Sequence, residues 1–396
     1  MALASNRPAT SATRRRQAGK PFLGLIDAIV VESPAEYSFA GSVSTDHAHA
    51  VWTWMTRDLA SDLIDVEILD DVPNSAAALD ATVPDLLNRA REALSNTRSD
   101  PEAIRRIKSQ LGGEEAWEKV PTVLNALRCR ALLDKAQSFG RAANAMTDEA
   151  ALALALQSMP LQDQSVAALL MHAAVGQVAA PTRLITAAIR ITNSAEEASL
   201  TRAGFAPLID AILAHAQNQI PPLNQVGTFG DMDLICRSVD RFHRLIRAVT
   251  GYVELARGSR WSGIIAGLTK AVSERLDPKL RDVAPDLNLA LRKREGADRV
   301  DGDQILSAMN GMYLLATVRD SRDSLAVNAL FDQVWAQTGQ ALEIHIERNL
   351  EHLRRHPADA VAAARIDAAL KMAEIRFNPE YAETMRRSKE AAMRRS

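Results

Sequence analysis

Aromatic side chains are scarce in this chain, 4% of its 396 residues. Few runs combine them with β-branched residues, so the usual material of strands and sheets is largely missing. Cysteine is nearly absent. Cys129 and Cys236 stand far apart, each inside a helical pattern, which leaves no disulfide framework and makes a reducing cytoplasm the expected setting. An excess of one charge is lacking as well: 47 Lys and Arg face 49 Asp and Glu, a net −2. A nonspecific nucleic-acid binder relies on a broad positive field to neutralise phosphates, so here any such surface must be a local patch. Long apolar runs are missing too. The longest, 166–189, is interrupted by His172, Gln177, Pro181 and Arg183, whereas a membrane span needs about 20 consecutive apolar residues. The first apolar run, 21–31, is broken by Asp27 and makes no secretory signal core. Arg14, Arg15 and Arg16 before it read as part of a disordered basic tail over 1–20.

The recognisable signatures of catalysis are also wanting. There is no G-x-x-x-x-G-K-[ST] phosphate loop, no G-x-S-x-G elbow, no C-x-x-C pair and no His-Asp dipeptide. Glycines are scattered and form no phosphate cradle. His352 and His356 share a helix face as metal ligands would, with Glu347 and Glu351 nearby. The zinc-protease pattern needs Glu directly after the first His as general base, and here Leu353 stands there. The plainer reading is a solvated helix end whose His and Arg complement the dipole. His47 and His49 sit two apart, which on a helix turns them about 200° from each other and away from a shared ion. Asp70 and Asp71 offer the hard oxygen donors that suit magnesium, but Pro73 makes that segment an inter-helix turn. No catalytic residue, metal ligand or cofactor is nominated.

What the chain has in abundance is helix grammar. Hydrophobic residues make up 47% and charged residues 24%, and the apolar share is carried by Ala and Leu, strong helix formers. Ser33-Pro34, Asp100-Pro101, Asp277-Pro278 and Asn378-Pro379 each spell a helix start. A side-chain oxygen accepts from an orphan N–H, and proline follows where a missing N–H costs nothing. Ser33 with Glu36, and Ser194 with Glu197, add capping boxes. The fold class is all-α, with 25–32 as the best strand candidate.

Helical patterns cover 46–65, 75–95, 101–111 and 114–140; Trp52 lies off the apolar stripe of the first. From Thr147 to Gln219 the helices shorten into stacked hairpins, solenoid-like but without a fixed repeat. Pro221 and Pro222, with Gly227 and Gly230, cannot continue a helix. They set a linker at 220–230 between an N-terminal helical domain, 21–219, and a C-terminal bundle of longer helices, 231–396. Those helices are expected over 231–256, 261–276, 278–293, 302–318, 321–355, 357–377 and from Pro379 onward. The 321–355 helix would be about 50 Å long. It needs neighbours along its length, within one chain or across a homodimer.

One helix carries the best candidate surface. Arg237, Arg241, Arg244 and Arg247 follow helical spacing, with Arg257, Arg260 and Trp261 close behind, while Val239, Phe242, Leu245, Ile246 and Val249 form the opposite face. Guanidinium forks pair bidentately with carboxylate or phosphate. Arg237, Arg241, Arg244, Arg247, Arg257, Arg260 and Trp261 are therefore read as an anion- or partner-binding set, against the plainer reading of a solvated face offset by Asp233 and Asp240. Met385-Arg386-Arg387-Ser388 and Met393-Arg394-Arg395-Ser396 make the C-terminus basic as well. Such an end docks on an acidic partner or anionic surface, or complements a helix dipole.

Clear helix grammar without a catalytic constellation points to a non-enzymatic helical scaffold or adaptor acting through protein–protein contacts. The excess of Arg over Lys and the abundance of Ala suggest a GC-rich bacterial genome. Two alternatives stay open: an all-α enzyme with an unrecognised pocket at the domain junction, and an accessory nucleic-acid or anionic-surface binder using the Arg-rich helix. A protein partner is expected and a transmembrane segment is not.

Overall fold

The computed structural model describes residues 20–32, 36–64, 75–97, 100–224, 229–293 and 298–394. Among them the fold is all-α, with one two-residue parallel pair, β1 (Val30–Val31) against β2 (Val43–Ser44), in the register Val30 to Val43. No described helix is long and apolar enough to cross a membrane. The tail over 1–19, the Ser33-Pro34 pair and Asp70-Asp71 lie outside the described residues. By its internal contacts the chain divides into two units, Met1–Asn218 with Arg247–Ser259, and Gln219–Ile246 with Arg260–Ser396.

In the first unit, α1 (Lys20–Ile26) precedes β1, and α2 (Thr45–Trp54) follows β2 and runs into a π-helical turn, Met55–Leu59. Ser44 caps α2 by accepting from the His47 N–H at 3.3 Å. Next come α3 (Ser75–Thr97), α4 (Pro101–Leu111), α5 (Glu114–Arg128) and α6 (Arg130–Ala145). Asp100 caps α4 as its cap-proline pair predicts, accepting from the Glu102 and Ala103 N–H groups, and Gly112 ends it at a φ of 85°. The pattern expected over 114–140 is interrupted at Cys129, which divides α5 from α6. The unit continues with α7 (Glu149–Gln157), α8 (Gln164–Gln177), α9 (Thr182–Thr192), α10 (Glu197–Arg202) and α11 (Ala206–Gln217).

Helix α8 is the axis of this unit. Every residue from Val166 to Val175 is buried, and α5, α6 and α11 pack on it, as a helix apolar all round requires. Close packing depends on missing side chains: a Cβ at Gly41 would collide with the Ala168 carbonyl, and one at Gly140 with the Ala174 carbonyl. Trp52 stacks on Phe22 with ring centroids 4.8 Å apart, so the tryptophan that lies off the α2 stripe closes the core against α1. The segment Arg247–Ser259 joins through backbone bonds. The Glu197 N–H donates to Glu254 O at 3.2 Å and the Glu254 N–H to Ala195 O at 2.9 Å. Glu197 also accepts from the Ala256 N–H at 3.0 Å, while Ser194 Oγ accepts from the Glu196 N–H at 3.2 Å. That pairing occupies both side chains, so the capping box expected of Ser194 and Glu197 does not form.

The second unit holds most of α12 (Phe229–Thr250), then α13 (Arg260–Leu291), α14 (Gly302–Ser321), α15 (Asn328–Arg355), α16 (Ala360–Arg376) and α17 (Pro379–Met393). Helix α13 packs on α14 and α15, and α16 packs on α14, α15 and α17. Asn378 caps α17 by accepting from the Tyr381 N–H at 2.7 Å. Asp277-Pro278, by contrast, starts nothing, because α13 runs through both Pro278 and Pro285. These prolines share an exposed face with Glu274 and Arg281, whose carbonyls lose their donors there, and water replaces the missing bonds. Asp277 pairs with Arg281 at 2.6 Å instead. The helix expected over 321–355 begins only at Asn328, since Ser321 ends α14 and Arg322–Ser324 form a 3-10 turn. Within the expected linker, Pro221–Asn224 also form a 3-10 turn.

Candidate functional site

The most constructed feature of the molecule is a loop held in place by side chains distant in sequence. Residues 36–42 lead into β2 without regular structure, and the backbone there is satisfied from outside. Lys119, on α5, donates to the carbonyls of Phe39 at 2.6 Å and Ser42 at 2.9 Å. One turn on, Thr122 Oγ1 donates to Ala40 O at 3.3 Å. Gln217, at the end of α11, accepts from the Tyr37 N–H at 2.7 Å and returns a bond to Tyr37 O at 3.0 Å. Asn218 accepts from the Glu32 N–H at 2.7 Å, and Gly41 lies against α8.

Between this loop, the first turn of α2 and the start of α5 opens a pocket of about 430 Å³, within the size range of ligand sites. Its charged lining is Glu36, Asp46, His47, Glu115, Glu118 and Lys119, with Tyr37, Ser38, Ser42 and Ser44 between. Four carboxylates thus face one lysine and one histidine. His47 Nε2 lies 3.5 Å from Glu115, whereas Lys119 is turned inward, 8% exposed, onto the loop carbonyls. Burial lowers the Lys119 pKa to about 8, against an opposing pull from Glu118. The Tyr37 phenol is pushed up by burial and by the neighbouring Glu36 charge.

Behind the pocket, His172 on α8 is fully buried and neither ring nitrogen has a hydrogen-bond partner. Its ring stacks on that of His215 at 4.2 Å, and His215 Nε2 lies 2.9 Å from His172 O. Burial first, then the charges of His215 and Lys119, hold the His172 pKa well below the ordinary histidine value, so the ring is neutral at neutral pH.

Of the arginines read from the sequence, Arg237, Arg241, Arg244 and Arg247 lie on the single helix α12, and the set divides between the two units. Arg247 and Arg257 belong to the first unit, and Arg237, Arg241, Arg244, Arg260 and Trp261 to the second. Arg237 is paired with Asp233, and Arg244 with Asp240, each one helical turn away. Arg241 is half-buried, and burial weakens its hold on its proton. Arg247, Arg257 and Arg260 are exposed, while Trp261 is a core side chain at 4% exposure. At the C-terminus, Arg386 and Arg387 pair with Glu383, and Lys389 with Asp367 at 2.6 Å. His352 bonds Asp359 at 2.8 Å; among the described residues no group of three or more His, Cys, Asp or Glu is arranged around a metal position. In the second unit, open grooves of about 700 and 590 Å³ follow the seam of α13 and α15.

Comparison with protein-family models, curated proteins and solved structures found no match for this chain. The pocket therefore rests on its own chemistry. Its central residue was visible in the sequence as an anomaly, a lysine on the apolar stripe of α5 formed by Ala116, Val120, Val123 and Leu127. Two of the acids around it, Glu36 and Asp46, lie some 70 to 80 positions earlier, and nothing local to them marks a place beside Lys119.

Proposed function

We propose that this chain is a non-enzymatic helical scaffold or adaptor of the bacterial cytoplasm, acting through protein–protein contacts, and that the pocket at loop 36–44 receives a basic side chain of its partner. The observation that supports this is a ring of Glu36, Asp46, Glu115 and Glu118 around a backbone loop fixed by Lys119, Thr122 and Gln217. A pre-fixed wall spares the ordering cost of binding. Acids on that wall favour Lys or Arg and speed encounter with a basic segment. Two free cysteines, Cys129 and Cys236, suit a reducing compartment.

The test is a fluorescence titration with a labelled Arg- and Lys-rich peptide. Glu115 and Glu118 are exposed, so Glu115→Gln/Glu118→Gln leaves the fold intact. Saturable, salt-sensitive binding is expected, weakened by about tenfold or more in the variant. Equal binding by both proteins, or none at low salt, refutes the reading. A second mode, self-association along α15, is supported by the open seam grooves and by the unbroken length of that helix.

A further inference from the structure

Three anchors of loop 36–42 converge on one buried histidine. His172 is 0% exposed in the middle of α8, and neither ring nitrogen has a hydrogen-bond partner. One turn before it, on the same face of α8, the Ala168 carbonyl lies where a Cβ on Gly41 of the loop would collide with it. From α11, His215 stacks on His172 with ring centroids 4.2 Å apart, and its Nε2 lies 2.9 Å from His172 O. Two residues on, Gln217 holds the Tyr37 N–H and carbonyl at 2.7 and 3.0 Å. From α5, Lys119 holds the carbonyls of Phe39 and Ser42, and its charge acts on His172. The helices that fix the loop are therefore the ones whose groups touch or act on this ring.

The plainer reading makes His172 a filler of the core. An apolar side chain would fill that space without leaving a donor and an acceptor unmet. A proton on the ring makes the position far worse, because the cation has no acceptor there and the charges acting on it, those of His215 and Lys119, both repel it. The other elements packed on α8 turn apolar groups to it. Helix α6 buries Leu133, Ala136, Gly140 and Ala143; its Asp134, Lys135 and Arg141 are exposed, and its Arg130 pairs with Asp80. The turn 27–29 buries Ile29 and exposes Asp27, Glu118 of α5 is exposed, and Asp210 of α11 is half-buried, five residues before His215. Loop 36–42 is the part of these surroundings without regular structure. Opening it gives up a few hydrogen bonds, whereas opening a helix gives up a cooperative unit.

We propose that the His172–His215 pair is an acid-operated release for the loop: a proton taken up at His172 separates α8 from the anchors on α5 and α11, and loop 36–42 lets go. The pocket then keeps its wall in neutral solution and loses it in acid. The sign follows from the closed ring holding a proton less readily than a solvated one. Above the ordinary histidine value of 6.5 both forms are neutral and pH has no effect. Below it the open form takes the proton and the closed form does not, so the open population rises by up to about tenfold per pH unit. The consequence for binding rests on the reading of the pocket as a contact for basic side chains; the release itself does not.

The experiment is hydrogen exchange of the full chain, read by mass spectrometry between about pH 7.5 and 4.5 and corrected for the intrinsic pH dependence of exchange. Protection of the 36–42 amides should hold steady above the ordinary histidine value and fall by up to about tenfold per pH unit below it, while α6 and α8 stay protected. His172→Phe, which keeps a stacked ring and cannot titrate, should flatten that profile. If His172→Phe fails to fold, the nitrogen-15 shifts of the His172 ring in wild type decide: the ring should stay neutral past the ordinary value and titrate together with the opening of the loop. A flat wild-type profile, the same loss in His172→Phe, loss of protection in the loop and α8 at once, or a ring that titrates at the ordinary value with the loop closed overturns the inference. The labelled basic peptide, titrated at both ends of the range, keeps the two readings apart. A loop that opens in acid on a chain that never binds the peptide removes the partner contact and leaves the release; peptide binding on a chain whose loop ignores pH does the reverse.

Discussion

Lys119 shows what a single buried charge does to a fold. Holding its pKa at about 8 against 10.5 in the unfolded chain means that the folded state disfavours the charged form. Below pH 8 both states are protonated and the full cost is present. Between about 8 and 10.5 the unfolded chain binds the extra proton, so stability rises with pH, by on the order of 3 kcal/mol across the window. Lys119→Met removes the charge together with the donor to Phe39 and Ser42, so at pH 7 relief of the burial cost offsets the lost carbonyl bonds, themselves about 1–3 kcal/mol, and the net change should be small. The diagnostic is the difference between wild type and variant in urea unfolding: it should grow in favour of wild type from pH 8 to 10.5, and a flat difference would exclude the assigned burial. The sequence shows Lys119 on an apolar stripe. It does not show that the carbonyls of a loop about 80 positions earlier converge on the amine, because backbone acceptors leave no mark on residue type.

At the scale of elements, contact between helices is set by what glycine omits. Gly140 of α6 faces the Ala174 carbonyl of α8, so Gly140→Ala forces backbone apart and should destabilise by about 2 kcal/mol or more. Gly263, exposed in the first turn of α13, has nothing near its missing Cβ, so Gly263→Ala should stabilise by about 0.5–1 kcal/mol. Chemical denaturation of both variants checks the pair, and equal effects would remove the distinction. Cap chemistry was legible at this scale where it is local. Asp100 and Asn378 cap α4 and α17 as their following prolines indicate. The same dipeptide grammar at Asp277-Pro278 reads as a start although α13 passes through it. The difference lies in burial: Pro278 and Pro285 sit seven apart on a solvated face, where lost backbone bonds go to water, and the dipeptide itself carries no record of which way it faces. The Cys129 break between α5 and α6 is unmarked by proline or glycine and was equally invisible.

At the scale of the molecule, net charge is close to zero, which does little to keep copies apart. The first unit is assembled from two stretches of chain, an arrangement that a linker marked by Pro221 and Pro222 does not announce. In the second unit, α15 presents Leu330, Gln333, Gln337, Gln340, Ile344 and Arg348 to the seam grooves, spaced three or four apart in the pattern of helix pairing. Glutamine amides both donate and accept, so this face can meet a copy of itself across a two-fold axis, where each residue faces its symmetry partner's surroundings. Sedimentation equilibrium should then find a concentration-dependent species of two chains. Gln337→Arg/Ile344→Arg places like charges on both sides of that axis at positions that are exposed in the single chain, and should weaken pairing by about tenfold or more while leaving the helical circular dichroism unchanged. A wild-type chain that stays single at every concentration, or a variant that pairs as well as wild type, would confine α15 to the packing of one chain.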